Sequence, residues 1–283
     1  MKRNAGISFD FRPEFPHPSK RFGQHFLTDK HIIDRIIRSL APGQEETIIE
    51  IGPGRGALTA PLLEKACKVI AVEFDKKLIP VLEERFGACE NFRLLQQDVL
   101  NTDFCAEILP ASNARVVGNL PYNISTAIIQ RMIEQRHCLV EAVVMLQREV
   151  VDRITARAGS KDRGYLSVLV EAYCEAEQLF DVAPGAFRPA PKVWSSVIKL
   201  KFRSTIAARV NDEALLRQVV SAGFRQRRKT ILNNLRQAPG ELQELIKRHG
   251  GASIVLCRAE VELNRRAETL TLNEWARISN VLE

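Results

Sequence analysis

Hydrophobic residues along the middle of the chain alternate between short runs rich in β-branched residues and longer stretches with helical spacing. The short runs predict five strands, Thr47–Ile51, Lys68–Glu73, Phe92–Leu95, Ala114–Gly118 and Ala142–Leu146. The stretches between them predict helices such as Leu58–Ala66 and Lys76–Phe86. Apolar strands separated by amphipathic helices are typical of a parallel sheet that is covered on both faces.

The pattern changes in the second half of the chain. A helix is predicted at Tyr165–Ala172, and the runs Glu175–Val182 and Ser195–Phe202 predict an antiparallel hairpin at the sheet edge. Beyond residue 206 leucine recurs at helical intervals, which predicts the helices Ala214–Phe224, Lys229–Gln237, Glu241–Lys247 and Leu272–Val281. We therefore predict a loosely ordered tail at 1–18, an α/β domain at 19–204 and a small all-helical domain at 205–283.

The composition is that of an ordinary globular protein, with 45% hydrophobic and 27% charged residues among 283. The N-terminus lacks the apolar core of a signal peptide, and no segment approaches the roughly 18–20 apolar residues that span a bilayer. The six cysteines, at 67, 89, 105, 138, 174 and 257, lack the spacing of zinc or redox pairs. We expect a cytoplasmic monomer with reduced thiols, without a metal and without a membrane partner.

The net charge of +7 is concentrated at the two ends of the chain. Residues 1–38 carry 8 basic and 4 acidic side chains, and residues 205–283 carry 13 and 9, whereas residues 39–204 carry 20 and 21. An excess of this kind favours an anionic partner such as a nucleic acid, although solvated helix faces produce similar patterns.

A glycine-rich loop follows the first predicted strand of the sheet, in Gly52-Pro53-Gly54-Arg55-Gly56. Glycines are needed where the chain leaves a strand sharply or lies against a ligand, although a tight turn alone has the same requirement. The spacing is Gly-x-Gly-x-Gly rather than the Gly-x-Gly-x-x-Gly of dinucleotide-binding proteins. We therefore predict S-adenosylmethionine (SAM), which has no pyrophosphate, as the cofactor rather than NAD.

Three carboxylates are candidate ligands of that cofactor. Glu73 ends the second strand, 21 positions after Gly52, where a carboxylate can accept hydrogen bonds from both ribose hydroxyls of an adenosine. Asp98 ends the third strand and can accept a hydrogen bond from the adenine amino group, although it is also placed to cap a helix. Glu50, just before the loop, is expected to help hold the amino-acid end of SAM.

The most specific motif is Asn119-Leu120-Pro121-Tyr122, at the end of the fourth strand. An adenine amino group becomes nucleophilic when hydrogen-bond acceptors hold its protons, and the Asn119 side-chain carbonyl and the Leu120 backbone carbonyl can be those acceptors. Pro121 stiffens the turn, and the ring of Tyr122 can stack on a flipped base. Stacking of this kind contributes roughly 1–3 kcal/mol per base. The motif predicts methyl transfer to adenine N6.

With these motifs the chain resembles the small-subunit ribosomal RNA adenine N6,N6-dimethyltransferases over nearly its whole length. The resemblance is carried by Lys20–Leu27, Glu50–Thr59, Glu73, Asp98, Asn119–Thr126, Phe187 with Pro191–Ser196, and Phe224–Asn234. There are two mild departures. Position 25 is His where many members have Asn, and position 194 is Trp where many members have Asp.

The resemblance implies a Rossmann-like SAM-dependent methyltransferase fold, with a seven-stranded, mostly parallel sheet and a helical C-terminal domain. It assigns His25, Leu27 and Asn119 to the SAM pocket and places Phe187 on the other face of the target base. It further implies a helix that binds RNA through Arg225, Arg227, Arg228 and Lys229. The implied reaction is dimethylation of two adjacent adenosines in the last hairpin of 16S rRNA, within an assembling small ribosomal subunit.

Several interpretations stay open on sequence alone. The Asn-x-Pro-Tyr turn is shared with methyltransferases that dimethylate one adenine of large-subunit rRNA and confer macrolide resistance. A non-catalytic ribosome-assembly or RNA-binding factor on the same fold is a second alternative, against which the intact set of pocket residues argues. Phe187 is equally compatible with core packing, and the basic run at 225–229 with a solvated helix face.

Overall fold

The computed structural model describes residues 16–18, 23–65 and 68–283, which form two units. One comprises the described part of Met1–Gln147 together with Leu179–Ile198, and the other comprises Arg148–Gln178 and Lys199–Glu283. The predicted domains, 19–204 and 205–283, are each one continuous segment. The observed division instead groups residues 148–178 with the C-terminal helices. Most of the predicted tail lies outside the described residues, as do Lys20, Arg21 and Phe22.

The central element is a seven-stranded sheet, as the fold prediction requires. In chain order the nine strands of the described residues, β1 to β9, are Phe26–Leu27, Thr47–Ile51, Lys68–Glu73, Phe92–Gln96, Ala114–Asn119, Leu139–Gln147, Cys174–Val182, Phe187–Arg188 and Ser195–Phe202. The sheet order is β4-β3-β2-β5-β6-β9-β7, and the four pairings from β4 to β6 are parallel. The strand β2 is buried along its whole length, as expected for the middle of a parallel sheet covered on both faces.

Helices connect the parallel strands of the first unit. They are α1 (Lys30–Leu40), α2 (Thr59–Glu64), α3 (Ile79–Phe86), α4 (Phe104–Glu107) and α5 (Ser125–Glu134). The first of these begins where the Asp29 carboxylate accepts hydrogen bonds from the backbone N–H groups of His31 and Ile32, which satisfies donors that a helix start leaves free. The predicted helices Leu58–Ala66 and Lys76–Phe86 correspond to α2 and α3, which are shorter than predicted.

A second, two-stranded sheet joins distant parts of the first unit. The strand β1 pairs antiparallel with β8, so that Leu27 faces Phe187 and Phe26 faces Arg188. Leu27 and Phe187 are both buried in the apolar core of this unit, which also contains residues of β2, α1 and α3. The motif segment that ends at Leu27 and the one that begins at Phe187 are thus neighbours in space, although about 160 residues separate them.

The second unit is mainly helical. Its helices are α6 (Arg148–Ile154), α7 (Tyr165–Tyr173), α8 (Glu213–Gly223), α9 (Ile231–Arg236), α10 (Gly240–Arg248), α11 (Ala252–Arg258) and α12 (Leu272–Val281). Thr271 and Glu274 form a reciprocal capping box at the start of α12, which fixes this helix at its predicted bounds. No helix in the described part of the chain has the length and apolar character needed to cross a membrane.

The expectation that all cysteines are reduced thiols is wrong for one pair. Cys105, in α4, forms a disulfide with Cys138, which lies just before β6, across 33 positions of sequence. The sequence criterion failed because spacing along the chain says nothing about residues that the fold brings together. His137 lies against the same pair, so these three residues form a possible metal-ligand group, but the disulfide removes both thiolates that a metal would need.

Candidate functional site

A cavity of about 270 Å³ lies at the carboxyl ends of the central parallel strands. Ligands of open α/β sheets bind at this edge, where loops leave the strands. Most of the predicted SAM and target-base residues line this cavity: His25, Gly52, Gly54, Glu73, Asp98, Asn119, Leu120, Pro121 and Tyr122. Residues that are scattered over about 100 positions of sequence therefore form one site.

The glycine loop forms one wall of the cavity through its backbone. Gly52 and Gly54 have φ angles of 65° and 59°, in the left-handed region that favours glycine. A Cβ atom on Gly54 would also lie 3.1 Å from the ring of Phe26. A larger residue at either position would strain the turn, and at Gly54 it would also displace an aromatic side chain, so the loop requires glycine as predicted.

Glu73 is held rigidly at the end of β3. Its Oε1 atom accepts hydrogen bonds from the backbone N–H groups of Phe74 and Asp75 at 2.9 and 2.8 Å, and Oε2 accepts a longer one, 3.3 Å, from Gly54 N–H. Burial raises the pKa of this carboxyl above its ordinary value, while the three backbone donors oppose the shift. The result is a fixed acceptor whose oxygens border the cavity.

Asp98 has the capping role that the sequence left open. Its Oδ1 atom accepts a hydrogen bond of 3.0 Å from Leu100 N–H at the start of a short 3₁₀ turn. The residue also lines the cavity. Capping and ligand contact are compatible here, because the cap occupies one carboxylate oxygen and fixes the direction of the other.

Glu50 and Leu27 lie behind the glycine loop rather than in the main cavity. Both border a smaller cavity that shares Gly52, Gly54 and Asn119 with the main one. Glu50 is buried and accepts a hydrogen bond of 2.6 Å from the Thr59 hydroxyl. Burial raises the pKa of Glu50 to about 7, because desolvation penalises the charged carboxylate.

Asn119 is oriented for the role predicted from its motif. Its Nδ2 atom donates a hydrogen bond of 2.9 Å to the backbone carbonyl of His25, which fixes the amide and directs Oδ1 the other way. That Oδ1 atom is buried and has no hydrogen-bond partner among the described residues. A buried acceptor without a partner costs free energy, and Asn119 lines the main cavity, so this oxygen is available to a hydrogen-bond donor bound there.

An aromatic pair stands beside Asn119. The His25 and Tyr122 rings stack with their centroids 5.7 Å apart. The Tyr122 hydroxyl shares a hydrogen bond of 2.7 Å with the Ser195 hydroxyl, and His25 Nδ1 donates one of 2.8 Å to the Pro189 carbonyl. Both rings are therefore held in place by residues between β8 and the start of β9, and the His25 side chain is engaged with protein groups.

Leu120 and Pro121 complete the turn that follows β5. Leu120 N–H donates to the Met145 carbonyl at 3.0 Å, which ties the turn to β6. The Pro121 carbonyl accepts from Ile124 N–H at 3.2 Å just before α5. The turn thus has a fixed path, and its residues present backbone as well as side-chain atoms to the cavity.

Phe187 lies in the apolar core and not in the site. Its side chain is fully buried in the apolar core, and the residue borders neither cavity. The structure therefore supports the core-packing interpretation of this residue rather than a base-stacking surface. The cause is the pairing of β8 with β1, which directs Phe187 towards the core beside Leu27.

The basic run also differs from its prediction, because it is a turn and not part of a helix. Arg225, Arg227, Arg228 and Lys229 are exposed and lie between α8 and α9. The buried Asn234 holds this turn: its Nδ2 atom donates to the carbonyls of Gly223 and Gln226 at 2.7 and 3.2 Å, and its Oδ1 atom accepts from Gln226 N–H at 3.1 Å. The arginines and the lysine therefore project from a fixed backbone.

Some residues that line the main cavity were not predicted from the sequence. The half-exposed ring of Phe74 directly follows Glu73 and borders the cavity. Gln24 and Asp75 also border it and are joined by a hydrogen bond of 2.8 Å. An apolar aromatic residue immediately after a strand-end carboxylate is the one signal that points to Phe74, whereas the Gln24–Asp75 pairing depends on tertiary structure.

These features fit SAM. The left-handed glycines leave room for a ligand against the backbone, and Glu73 presents fixed acceptors to it. Two carboxylates with raised pKa values, Glu50 and Glu73, also favour a cation nearby, since a positive charge stabilises their ionised forms.

Comparison with known proteins agrees with this geometry. The family model described as "Ribosomal RNA adenine dimethylase" matches residues 17–277. The chain is 41% identical, over 92% of its length and 91% of the relative's, to the ribosomal RNA small subunit methyltransferase A of Hahella chejuensis. Among solved structures, it is similar to a dimethyladenosine transferase from Plasmodium falciparum, with a TM-score of 0.70 and 24% identity over 90% of this chain and 96% of that one. The 23S rRNA methyltransferase ErmE gives a TM-score of 0.63 and 25% identity, over 91% and 99%.

Proposed function

The chain belongs to the ribosomal RNA adenine dimethylase family, and from this premise we propose that it dimethylates two adjacent adenosines in the 3′-terminal hairpin of 16S rRNA. Family membership itself makes the protein an enzyme, a SAM-dependent rRNA adenine dimethyltransferase, as its motifs predict. We further propose that it works as a cytoplasmic monomer, without a metal, on an assembling small subunit. The small-subunit methyltransferases among its relatives support this choice over the large-subunit alternative.

The observation that carries the proposal is the state of the Asn119 amide. Its nitrogen is occupied by the His25 carbonyl, and its buried oxygen has no partner among the described residues. We propose that this oxygen accepts a hydrogen bond from the amino group of the target adenine, and that the Leu120 carbonyl accepts the second. The two bonds hold the amino protons out of the ring plane, so the nitrogen becomes pyramidal and its lone pair is no longer delocalised into the ring but directed at the methyl group.

Bound SAM supplies a methyl group on a positively charged sulfur, which is already a good leaving group. The protein therefore contributes mainly position, which in well-oriented reactions is worth on the order of 7–11 kcal/mol. Glu73 would hold the ribose, Asp98 the adenine amino group, Phe74 an apolar face of the adenosine, and the Gly52–Gly54 backbone the amino-acid end. Tyr122, fixed by Ser195, offers the ring on which the target base stacks.

The second unit would bind the rRNA backbone. We propose that the exposed cations of the turn, Arg225, Arg227, Arg228 and Lys229, contact phosphates. The Arg225 guanidinium also donates to the Gln237 carbonyl at 3.1 Å, and that of Arg227 donates to the Lys161 carbonyl. These bonds leave further N–H donors on each guanidinium for phosphate oxygens.

Methyl transfer with labelled SAM tests the proposal directly. The acceptors are immature small subunits, large subunits and free rRNA, and the modified bases are then mapped. We expect two neighbouring dimethylated adenosines near the 3′ end of 16S rRNA, formed only in the subunit. Label in large-subunit RNA would instead indicate the resistance class, and RNA binding without any label would indicate a non-catalytic factor.

A further inference from the structure

The rim segment, residues 189–195, is fixed at both ends to the aromatic pair of the reaction site. At one end the Pro189 carbonyl accepts a hydrogen bond of 2.8 Å from His25, and at the other the Ser195 hydroxyl bonds the Tyr122 hydroxyl at 2.7 Å. His25 and Tyr122 themselves stack on each other. The segment between these two attachments therefore lies beside the aromatic pair, although its residues line neither cavity.

This segment exposes a tryptophan. The Trp194 side chain is 50% exposed and its neighbour Val193 is 41% exposed, directly before the fully buried Ser195. The chain has only two tryptophans, and the other, Trp275, is completely buried. An indole buries a large apolar area when it finds a partner, so Trp194 offers a broad aromatic face to a ligand that extends beyond the aromatic pair.

The surroundings of Trp194 are cationic. Arg188 and Lys192 are both exposed, and no acidic residue occurs between positions 182 and 199. An exposed aromatic ring with positive charges close by in the sequence is a combination that binds single-stranded nucleic acid: the ring stacks on a base and the cations attract phosphates.

We infer that Trp194 stacks on an unpaired base adjacent to the target adenosine, while Lys192 neutralises a neighbouring phosphate. A base that leaves its stack to enter an enzyme pocket deprives its neighbour of a stacking partner, and the indole replaces that partner. Trp194 is then a substrate-contacting residue that helps to select which adenosine enters the pocket. This inference rests on the proposed function, since it requires an RNA acceptor.

Substitutions at position 194 test the inference through methyl-transfer kinetics on unmethylated small subunits. W194A should raise the KM for the subunit by about five- to 100-fold and leave kcat within about twofold, because the lost stacking acts on binding. W194F should recover most of the loss and W194L much less. As a control, L109A removes another exposed hydrophobic side chain, one in the loop between α4 and β5, before the end of β5 opposite Asn119, and should behave like the wild type.

Co-sedimentation with the same subunits measures binding independently of catalysis. Weaker binding by W194A that W194F restores supports the inference even if the wild type transfers no methyl group, an outcome that would contradict only the proposed function. Equal binding and equal KM for W194A and the wild type overturn the inference. Recovery by W194L as complete as by W194F overturns base stacking specifically, because leucine supplies apolar area without an aromatic face.

Discussion

In the proposed function the strand-end cavity and the basic turn both serve recognition, but they are built in opposite ways. In the cavity the recognition groups are buried and individually oriented, as Asn119 and Glu73 are by backbone partners. In the turn the recognition groups are exposed cations, and the buried, oriented residue is Asn234, which lies beneath them and touches no phosphate in the proposed contact.

The difference follows from the two ligands. A cofactor and a flipped base have fixed shapes, so a site gains from acceptors that are held in place before the ligand arrives. Buried polar atoms are almost always paired, and Asn119 Oδ1 is an unpaired one on a residue that also lines the main cavity, where a ligand group can reach it. A phosphate backbone is flexible and strongly charged, so exposed cations suffice provided that the backbone carrying them is fixed.

The largest expected effect is that of Asn119→Ala on catalysis. Removing the oriented acceptor should lower methyl transfer on the order of 1,000-fold, by analogy with the loss of a preorganised hydrogen-bonding group from other active sites. Cofactor binding should persist, because Glu73 and Asp98 are untouched. Single-turnover methyl transfer measures the first effect and SAM-dependent protection against thermal unfolding the second. Turnover at the wild-type rate would rule out the proposed role of the Asn119 oxygen.

Phe187→Ala should act on the fold rather than on the chemistry. The side chain is fully buried in the core, and replacing such a phenylalanine with alanine costs about 3–5 kcal/mol of unfolding free energy. Denaturant unfolding measures the loss, and Phe187→Leu, which keeps most of the volume, should show a smaller one. If Phe187→Ala instead kept its stability and lost only methyl transfer, the base-stacking role would be restored.

Asn119 and Phe187 also show what the sequence can and cannot predict. The strands Thr47–Ile51, Lys68–Glu73 and Ser195–Phe202 were predicted with their observed bounds. The first two are almost completely buried, so their apolar runs end sharply in the sequence. Asn119 was predictable because its motif lies at a strand end, where parallel topology collects functional residues.

Phe187 was not predictable, because a buried and a base-facing phenylalanine look alike in sequence, and only the pairing of β8 with β1 decides between them. The same applies to the disulfide of Cys105 and Cys138 and to the turn at 225–229, for which the chain has helix-forming residues on either side. In each case the deciding contact is made by residues distant in sequence or by a single buried side chain such as Asn234.

Asn234→Ala should destabilise the backbone of the basic turn, which the Asn234 side chain holds in place. It leaves the Gln226 N–H and two carbonyls without their partner, at a cost of about 1–3 kcal/mol, and frees the backbone that carries the cations. We expect a lower melting temperature together with weaker binding to small subunits. Arg228→Ala is the matched control: it should weaken binding and reduce the salt slope by about 1 without changing the melting temperature. Full binding by Asn234→Ala would show that phosphate contact does not need a fixed turn.

The smallest effect concerns Glu50 and depends on pH. Because burial raises the pKa of Glu50 to about 7 from 4.5, the folded protein retains a proton that the unfolded chain has already released between these values. This group therefore makes the cofactor-free protein less stable as the pH rises from about 4.5 to about 7, and its effect is constant above that. SAM is a cation, so its affinity should rise through the same window as the carboxylate ionises.

Glu50→Gln separates these two consequences. The variant cannot ionise and keeps an acceptor for the Thr59 hydroxyl, so it should be more stable than the wild type at pH 8 yet bind SAM about tenfold more weakly, equivalent to 1.4 kcal/mol. Calorimetric titration with SAM between about pH 4.5 and 8, read beside thermal unfolding at each pH, measures both quantities. Glu64→Gln, at the exposed end of α2, should change neither. If the SAM affinity of the Glu50→Gln variant still rose with pH, the titrating group would lie elsewhere, with the buried carboxyl of Glu73 as the next candidate, because its pKa is also raised.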